Sequence, residues 1–392
     1  MELVVRKSDL LRELQLFQGI VERKNTIPIL ANVLLEADGK EVRMLATDLE
    51  VGLRSRCEAV VGKPGSLTLP AKKLFEIVKA LPESDIRIEQ DKSGVKVAAE
   101  RFDSRMQTLP REDFPTLPDA QGAWSATLPR QSLRTMIPKT QFAITGEDTR
   151  YFLNGALFVL AADAMSLVAT DGHRLALVQV PRTAGDGKDA KEGRKGKAAP
   201  IPVVPAAESP SSNDVRVILP RKTLNELQRL LSEGEDDVRF EKGENHLFFE
   251  VGGRVLISRV IDGQFPAFER VIPKNTDKRI DFDRDRLTSA VRRVELMSNE
   301  RSRAVKFQLD KGKVEVTSSS PEFGEAKETL PVDYADGSMQ ICFNAQYVME
   351  FLGAVDTDQV ALELKDEVSQ AVMKPIGTEG YDYTYVIMPM RV

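Results

Sequence analysis

The residues best suited to chemistry lie together in "VATDGHRLAL", at positions 168–177. Thr170, Asp171 and His173 are the side-chain types of a nucleophile, an orienting carboxylate and a general base. Arg174 follows directly, and His173 is one of only two histidines in the sequence. Three interpretations compete for this stretch: a catalytic set, a polar turn, and a binding role.

An internal copy of the stretch helps to separate these interpretations. Residues 26–48 align without a gap with residues 149–171, at an offset of 123, and both segments end in Ala-Thr-Asp. The first copy continues with "LEVGLRS" and lacks Gly-His-Arg. Ala-Thr-Asp therefore belongs to the repeat, whereas Gly172, His173 and Arg174 are particular to the second copy.

The placement of the motif argues against catalysis. An Asp-Gly pair between alternating apolar runs is typical of a hairpin turn. In such a turn His173 cannot easily fold back onto Asp171 and Thr170 in the geometry of a triad. No phosphate loop or metal cluster lies nearby in the sequence. We favour a binding role over a plain polar turn, and both over an enzyme that uses Asp171 and His173.

The repeat extends through the whole chain as six units. Each unit begins with an extended segment and a helix start, marked by Leu-Pro or by a Ser, Asp or Asn cap. Short alternating runs follow, broken by turn pairs such as "DG" and "KG", and these predict antiparallel hairpins. Each unit therefore predicts the order β-α-β-β-β. The units begin near residues 1, 66, 125, 215, 279 and 338.

Pairs of units predict three domains, at residues 1–122, 123–260 and 261–392. One spacing is longer than the others because of residues 183–214, which are rich in Gly, Ala, Lys, Pro and Ser. Such a segment buries too little apolar surface to fold, so we expect a flexible, solvated insertion in the middle domain. The fold class is predicted as α+β, built from three repeated domains.

Composition excludes several classes of protein. Hydrophobic residues make up 42% and charged residues 29% of the 392 residues. The two cysteines, Cys57 and Cys342, are too far apart to indicate a disulfide framework or a zinc site. The first residues lack the apolar core of a signal peptide, and no run of 18 apolar residues occurs. We expect a cytoplasmic protein without a metal or a cofactor.

Positive charge is concentrated on the predicted helices. The six helical segments carry a net charge of +7, whereas the chain carries −5, so the remainder carries −12. Equivalent helices that face one direction would form a basic surface for the phosphate backbone of a nucleic acid. The alternative is a set of merely solvated charged faces. Since no aromatic residues are interleaved for stacking, duplex DNA is favoured over a single strand.

These features resemble a known family. The segments "TIPILANVLLEA", "YFLNG", "ATDGHRLAL", "DGQFPAFERVIPKN", "MSNERSRAVKF" and the terminal "YVIMPMRV" are similar to the bacterial DNA polymerase III beta subunit, the sliding clamp. The resemblance covers the chain except for the insertion. It implies a non-catalytic processivity factor, a head-to-tail homodimer that forms a pseudo-sixfold ring around duplex DNA. Helices would line the hole, and antiparallel sheets would form the outside.

The resemblance also implies a peptide-binding pocket between the middle and last domains. The DNA polymerase III alpha subunit, the clamp loader and other replication and repair proteins would insert short linear motifs there. Gln370 replaces a serine that is common in the family, which affects the expected motif preference. The residues carried over are Leu153, Thr170, Gly172, His173, Arg174, Leu175, Pro266, Arg270, Val271, Asn344, Tyr347, Val368, Val386, Met388, Pro389, Met390 and Arg391. His173 and Arg174 would form a polar lip, above a floor that includes Leu175 and Met388.

Two further surfaces follow from the resemblance. The positions expected to contact DNA are Lys24, Lys72, Lys73, Lys79, Arg134, Arg150, Tyr151, Arg221 and Lys222. At the dimer seam, Met106 of one protomer would meet Leu296 and Met297 of its partner, and Lys73 could pair with Glu322. The apolar contact matters more, because an exposed ion pair contributes only about 0–1 kcal/mol.

Three functional hypotheses remain distinguishable by experiment. A sliding clamp forms a dimer and is retained on circular DNA but not on linear DNA. An enzyme loses turnover when His173 is replaced. A scaffold that binds only proteins needs no basic helix faces. His246, the other histidine, is expected to be a turn residue without a special role.

Overall fold

The computed structural model describes residues 1–21, 26–121, 125–146, 148–182 and 214–391. The predicted insertion therefore lies outside the described residues except for its last position. Within the described ranges, no helix is long and apolar enough to cross a membrane. The described helices are α1 (Lys7–Phe17), α2 (Ala71–Ala80), α3 (Arg130–Thr140), α4 (Arg221–Leu230), α5 (Arg284–Glu295) and α6 (Ala345–Ala354).

The strands of the first three units precede and follow α1, α2 and α3. They are β1 (Glu2–Arg6), β2 (Asn32–Asp38), β3 (Glu41–Thr47), β4 (Val51–Glu58), β5 (Val60–Lys63), β6 (Gly65–Pro70), β7 (Asp85–Asp91), β8 (Gly94–Ala99), β9 (Phe102–Met106), β10 (Ser125–Leu128), β11 (Gly155–Leu160), β12 (Ala164–Thr170) and β13 (Arg174–Pro181).

The strands of the last three units are placed in the same way around α4, α5 and α6. They are β14 (Val215–Pro220), β15 (Val238–Lys242), β16 (His246–Val251), β17 (Arg254–Arg259), β18 (Lys278–Asp283), β19 (Ala304–Asp310), β20 (Lys313–Ser320), β21 (Gly324–Pro331), β22 (Met339–Asn344), β23 (Gln359–Leu364), β24 (Ala371–Ile376) and β25 (Asp382–Ile387).

The predicted order β-α-β-β-β is confirmed in all six units, and β5 is one additional strand. All six predicted helices form, but the Ser cap expected for the first is wrong: α1 begins at Lys7, and its N-cap Arg6 makes no capping hydrogen bond through its side chain. α3 contains Pro138 in its last turn and still continues to Thr140. Proline removes only one backbone donor, and in the last turn this loss interrupts little of the helix. The fold is α+β, as predicted.

The strands form four antiparallel sheets in two compact units. Unit 1 comprises Met1–Leu133 and Lys222–Val260, and unit 2 comprises Arg134–Arg221 and Ile261–Val392. Unit 1 contains a sheet in the order β5-β1-β7-β8-β9 and a sheet in the order β10-β15-β16-β17-β4-β3-β2-β6. Unit 2 contains the orders β14-β11-β12-β13-β25-β24-β23-β18 and β21-β20-β19-β22. Each eight-stranded sheet therefore combines strands of two predicted domains.

A buried ion pair lies beneath the larger sheet of unit 1. Glu13 of α1 is 1% exposed and accepts hydrogen bonds from Arg254 of β17, with Nε at 2.7 Å, and from Ser55. Burial acts to raise the pKa of Glu13, but these hydrogen bonds outweigh burial and lower it. This contact ties α1 to β17, although the two are 241 residues apart in the chain.

Both cysteines are free thiols. Cys57 is buried in β4, and burial raises the pKa of its thiol to about 12. Among the described residues, no group of three or more His, Cys, Asp or Glu side chains could hold a metal ion.

Candidate peptide pocket and nucleic-acid interface

The turn between β12 and β13 is closed by its own side chains. Thr170 Oγ1 accepts a hydrogen bond from Gly172 N (3.1 Å) and donates one to Arg174 O (2.6 Å). Asp171 Oδ1 accepts from His173 N (2.9 Å) and Arg174 N (3.0 Å). Gly172 has φ 91°, a conformation that glycine adopts without strain. The first part of the motif therefore serves to close the turn.

This geometry does not support catalysis. The Thr170 hydroxyl donates to a backbone carbonyl, and the Asp171 carboxylate binds the backbone and Arg174. A triad requires a nucleophile bonded to a base, which is oriented in turn by the carboxylate. In the described hairpin the His173 side chain is exposed and no such chain of contacts is formed.

Arg174 is buried and faces α6 rather than solvent. Its side chain bonds to Asp171 Oδ2 (Nε at 3.0 Å), to Phe142 O (2.7 Å) and to Glu350. The guanidinium carbon lies 4.2 Å from the centre of the Tyr347 ring. The structure therefore places Arg174 beneath the turn, whereas the prediction put it with His173 in a polar lip. Two carboxylates and an aromatic face hold the cation inside, and it fixes the turn to α6.

The electrostatics of Arg174 agree with this placement. Burial acts to lower its pKa, but the neighbouring Tyr385, Glu350 and Asp171 raise it well above the ordinary value. The arginine is therefore charged at every pH at which the protein is folded. A buried cation with two carboxylate partners stabilises one arrangement of the turn, because loss of the cation would leave both carboxylates without compensation.

The C-terminal strand completes the candidate pocket. In the pairing of β13 with β25, Leu175 lies opposite Val386. Beyond the strand, Met388 N donates to His173 O (2.9 Å), and Met390 N donates to Cys342 O (2.7 Å). The predicted residues near position 172 and those near position 388 are thus brought together.

An apolar cluster forms the floor beside this junction. It contains the buried Leu153, Leu175 and Val386, together with Phe265 and Phe268, and Val271 packs against it. Pro266 and Arg270 belong to the same loop as the two phenylalanines and are exposed. This arrangement suits ligand sites, which combine an apolar floor with a few polar groups at the rim.

The remaining pocket candidates lie at the start of α6, before β24 and after β25. Asn344 caps α6 by accepting from Gln346 N (2.9 Å) and Tyr347 N (3.4 Å). Val368 is 67% exposed and precedes β24, which pairs with β25. Met388 is 37% exposed. Pro389 and Met390 are half-buried, and Arg391 is exposed.

Comparison with known proteins identifies the family. Models of the DNA polymerase III beta subunit match along the chain: the N-terminal domain at residues 1–118, the central domain at 127–191 and 204–267, and the C-terminal domain at 269–391. The chain belongs to the DNA polymerase III beta subunit family, the sliding clamps.

Similar sliding clamps span the full length of both chains. The beta sliding clamp of Pseudomonas putida is 37% identical over 396 residues, and that of Escherichia coli K12 is 34% identical over 394 residues. A Pseudomonas aeruginosa clamp bound to griselimycin superimposes with a TM-score of 0.88 at 36% identity. A Caulobacter crescentus clamp superimposes with a TM-score of 0.87 at 34% identity. Both solved structures cover 100% of this chain.

Most of the basic residues predicted to contact DNA are exposed on helices of the sliding clamp fold. Lys72, Lys73 and Lys79 lie on the exposed side of α2, opposite the buried Leu74 and Val78. Arg134 of α3 and Arg221 of α4 are also exposed. Lys73 forms an ion pair with Glu76 (2.6 Å), which leaves both side chains largely in solvent. Lys24 lies outside the described residues.

Three other residues predicted to contact DNA have different surroundings. Lys222 is half-buried, where it donates to Ile20 O (3.0 Å) and pairs with the buried carboxylate of Asp48. The prediction of a simple phosphate contact is therefore not supported for Lys222, because its ammonium group already holds a turn. Arg150 is paired with Asp148 (2.7 Å) beside the Thr170 turn. Tyr151 is 57% exposed.

The candidate interface residues differ in their exposure. Leu296 is 73% exposed, Met297 is half-buried and Glu322 is exposed. Met106 is only 6% exposed in the single chain. The expected contact of Met106 with Leu296 and Met297 of a partner stays a prediction.

Three exposed side chains that could belong to these surfaces were not among the predicted site residues. Phe102 of β9 is 40% exposed and Phe323, beside β21, is 51% exposed. Neither follows from local periodicity, since a single exposed aromatic gives no pattern. Arg292 of α5 is also exposed. Its helix had been counted as basic, so the adjacent pair of arginines was an available signal.

Proposed function

We propose that two copies of this chain form a closed ring around duplex DNA, which slides along it and tethers a DNA polymerase. Family membership over the full chain supports this proposal, and the repeated basic helix faces provide the physical basis for binding DNA. Exposed lysines and arginines bind phosphates without reading sequence. A ring is retained topologically, so these contacts can be weak enough to permit sliding.

We propose the exposed Lys72, Lys73, Lys79, Arg134 and Arg221 as the DNA contacts of this ring. Arg150, Tyr151, Lys24 and Lys222 remain weaker candidates of the same surface. Backbone contacts release counterions, so binding to open duplex should weaken steeply with salt.

We propose a head-to-tail dimer seam between β9 of one protomer and β21 of its partner. Each is the last strand of its sheet, and a terminal strand offers unpaired backbone groups to another chain. The exposed Phe102, Leu296 and Phe323 lie on or near these two edges and supply apolar area. Met297, Glu322, Lys73 and Met106 belong to the same seam in this proposal. A heterologous seam of this kind closes into a ring when its rotation permits.

We propose that the cluster beneath Met388 binds short linear motifs of partner proteins such as polymerase, clamp loader and repair proteins. The observation that supports it is the pairing of β13 with β25, which joins Leu153, Leu175 and Val386 under an exposed methionine. Methionine side chains can repack around different partners. The other predicted pocket residues belong to its rim, with Arg174 acting beneath it.

The predicted domain bounds of 1–122, 123–260 and 261–392 belong to the same proposal. A location in the cytoplasm, where the chromosome of a bacterium is replicated, and a non-catalytic role also belong to it.

The test measures mass and DNA retention. Analytical ultracentrifugation should give twice the mass of the 43.6 kDa chain. After loading by a clamp loader with ATP, the protein should stay on nicked circular DNA and leave at once when the circle is cut. A monomer at all concentrations, or equal loss from circular and linear DNA, would overturn the ring.

The pocket has its own test. A fluorescent clamp-motif peptide should bind the full chain and lose affinity when residues 388–392 are deleted. Undiminished binding by the deletion variant would overturn the assignment of the pocket while leaving the ring untouched.

A further inference from the structure

Unit 1 contains a cavity that the proposed function does not use. Its volume is about 340 Å³, within the range of about 300–1,000 Å³ typical of ligand sites. Three segments line it: the turn at residues 47–52, residues 115–118, and the strand residues His246 and Ile257. Most of this lining is apolar, which suits the binding of apolar side chains.

The cavity is the internal-repeat counterpart of the candidate peptide pocket. An offset of 123 places Gly52 on Leu175. Gly52 lies opposite Ile257 in the pairing of β4 with β17, as Leu175 lies opposite Val386 in the pairing of β13 with β25. The same two strands of the repeat therefore form the wall in both places.

The apolar support behind the two walls is equivalent as well. Phe114 packs with Ile29, Leu30 and Leu34 in unit 1. In unit 2, Phe265 packs in one cluster with Phe152, Leu153 and Leu157, which lie at the same offset of 123. Each phenylalanine is followed by a proline, Pro115 or Pro266, that enters the rim of its cavity or candidate pocket.

An apolar side chain is held out at the mouth of the unit 1 cavity. Leu49 is 49% exposed and has φ 82°, where the equivalent residue of the other copy is Gly172. Side chains other than glycine are uncommon in this conformation. The turn therefore presents a leucine to solvent beside the cavity instead of a bare backbone.

The charge at the mouth differs between the two copies. Glu50 is exposed at the position that His173 occupies in the second copy. Burial, aided by the positive charge of Arg259, lowers the pKa of His246, so this imidazole is neutral at pH 7. Asp119, just beyond residues 115–118, is exposed and paired with Arg54 at 2.5 Å. Within the lining, the net charge is therefore that of the Glu50 carboxylate.

We propose that this cavity binds a short extended segment of a partner protein, with leucine side chains in the cavity and an adjacent lysine or arginine on Glu50. The negative charge of Glu50 favours this occupant over neutral or acidic segments. The inference rests on the proposed function only in that the counterpart takes peptides of partner proteins.

The test uses the full chain and two fluorescein-labelled octapeptides in anisotropy titrations. One is Gly-Ser-Lys-Leu-Ser-Leu-Lys-Gly, and the other has glutamate in place of both lysines. The lysine peptide should bind saturably and at least fivefold more tightly than the glutamate peptide. The variant Glu50→Lys should reverse this preference, and Leu49→Ser should weaken both peptides.

The variant that lacks residues 388–392 distinguishes the two sites. It should bind the lysine peptide with unchanged affinity while losing the clamp-motif peptide. Absence of saturable binding, equal affinity of both peptides, or loss of the lysine peptide in the truncated variant would each overturn the inference. Retention on circular DNA is measured separately, so these outcomes do not overturn the proposed ring.

Discussion

The two Thr-Asp turns of this clamp chain are built alike but anchored differently. In the first turn, Thr47 Oγ1 accepts from Leu49 N (3.0 Å) and donates to Val51 O (3.1 Å). Asp48 Oδ1 accepts from Glu50 N (2.9 Å) and Val51 N (2.6 Å). The same four bonds close the turn of Thr170 and Asp171.

The difference lies in the second carboxylate oxygen. Asp48 Oδ2 pairs with Lys222 of α4, whereas Asp171 Oδ2 pairs with Arg174 of its own turn. Arg174 then continues to Glu350 of α6. A shared sequence thus specifies the turn, and one cation decides which helix the turn is fixed to. The following variants measure the strength of each link.

Replacement of Arg174 should have the largest effect. Arg174→Met removes the cation between Asp171 and Glu350 and leaves two carboxylates without compensation, which should cost about 3–5 kcal/mol of unfolding free energy. Urea unfolding followed by circular dichroism measures this loss. The matched Arg174→Lys keeps the charge without the planar fork and should recover only part of the stability. A loss below 1 kcal/mol would show that the link is not structural.

Replacement of Lys222 should have a smaller effect in the first turn. Lys222→Met removes the partner of Asp48 and should cost about 1–3 kcal/mol, since the ammonium is only half-buried. A double-mutant cycle with Asp48→Asn isolates the pair. Coupling as large as that of Arg174 with Glu350 would contradict the proposed difference between the two anchors.

Replacement of the residue in the left-handed conformation should change the unfolding free energy in opposite directions in the two turns. Gly172→Ala should destabilise by about 1–2 kcal/mol, because an added Cβ meets a left-handed φ. It would also lie 3.3 Å from Arg150 Nη1. Leu49→Gly should stabilise by less than about 1 kcal/mol, since relief of strain is offset by the flexibility of glycine in the unfolded chain. Thermal unfolding of both variants measures the signs, and equal signs would disprove the equivalence of the positions.

Replacement of His173 should change stability least. The side chain is exposed, so His173→Ala should stay within about 0.5 kcal/mol of the parent. Affinity for a clamp-motif peptide should nevertheless fall several-fold, because the residue lies at the proposed rim beside Met388. Glu50→Ala, the matched change in the first turn, should leave the affinity for this peptide unaltered. An equal loss of peptide affinity in both variants would contradict the assignment of His173 to the rim of the pocket.

Much of the fold was predictable because its signals are local. Helix starts at Leu-Pro or at an Asp or Asn cap, and hairpins at turn pairs, depend on residues within one turn of the chain. Asp283 and Asn344 do cap α5 and α6, with Asp283 accepting from Arg286 N (2.8 Å). The Ser cap was predicted wrongly for α1, because this helix already begins at Lys7, before Ser8.

The candidate sites were less predictable because burial depends on distant partners. The family resemblance implies that Arg174 forms part of a polar lip, but Phe142, Tyr347 and Glu350 enclose it. Met106 follows a strand pattern that does not reveal how deeply an edge residue packs. Lys222 lies on a basic helix, yet the partner that holds it is 174 residues away.

The sequence by itself determined the repeated units, their strands and helices, and the turn that closes on Thr170 and Asp171. These features arise from periodicity, capping and short-range hydrogen bonds. Only the tertiary structure decided that β13 pairs with β25, that Arg174 is buried against α6, and that Lys222 holds Asp48. Each depends on side chains that meet only after long segments of chain fold together, and local patterns carry no record of which distant surface will cover them.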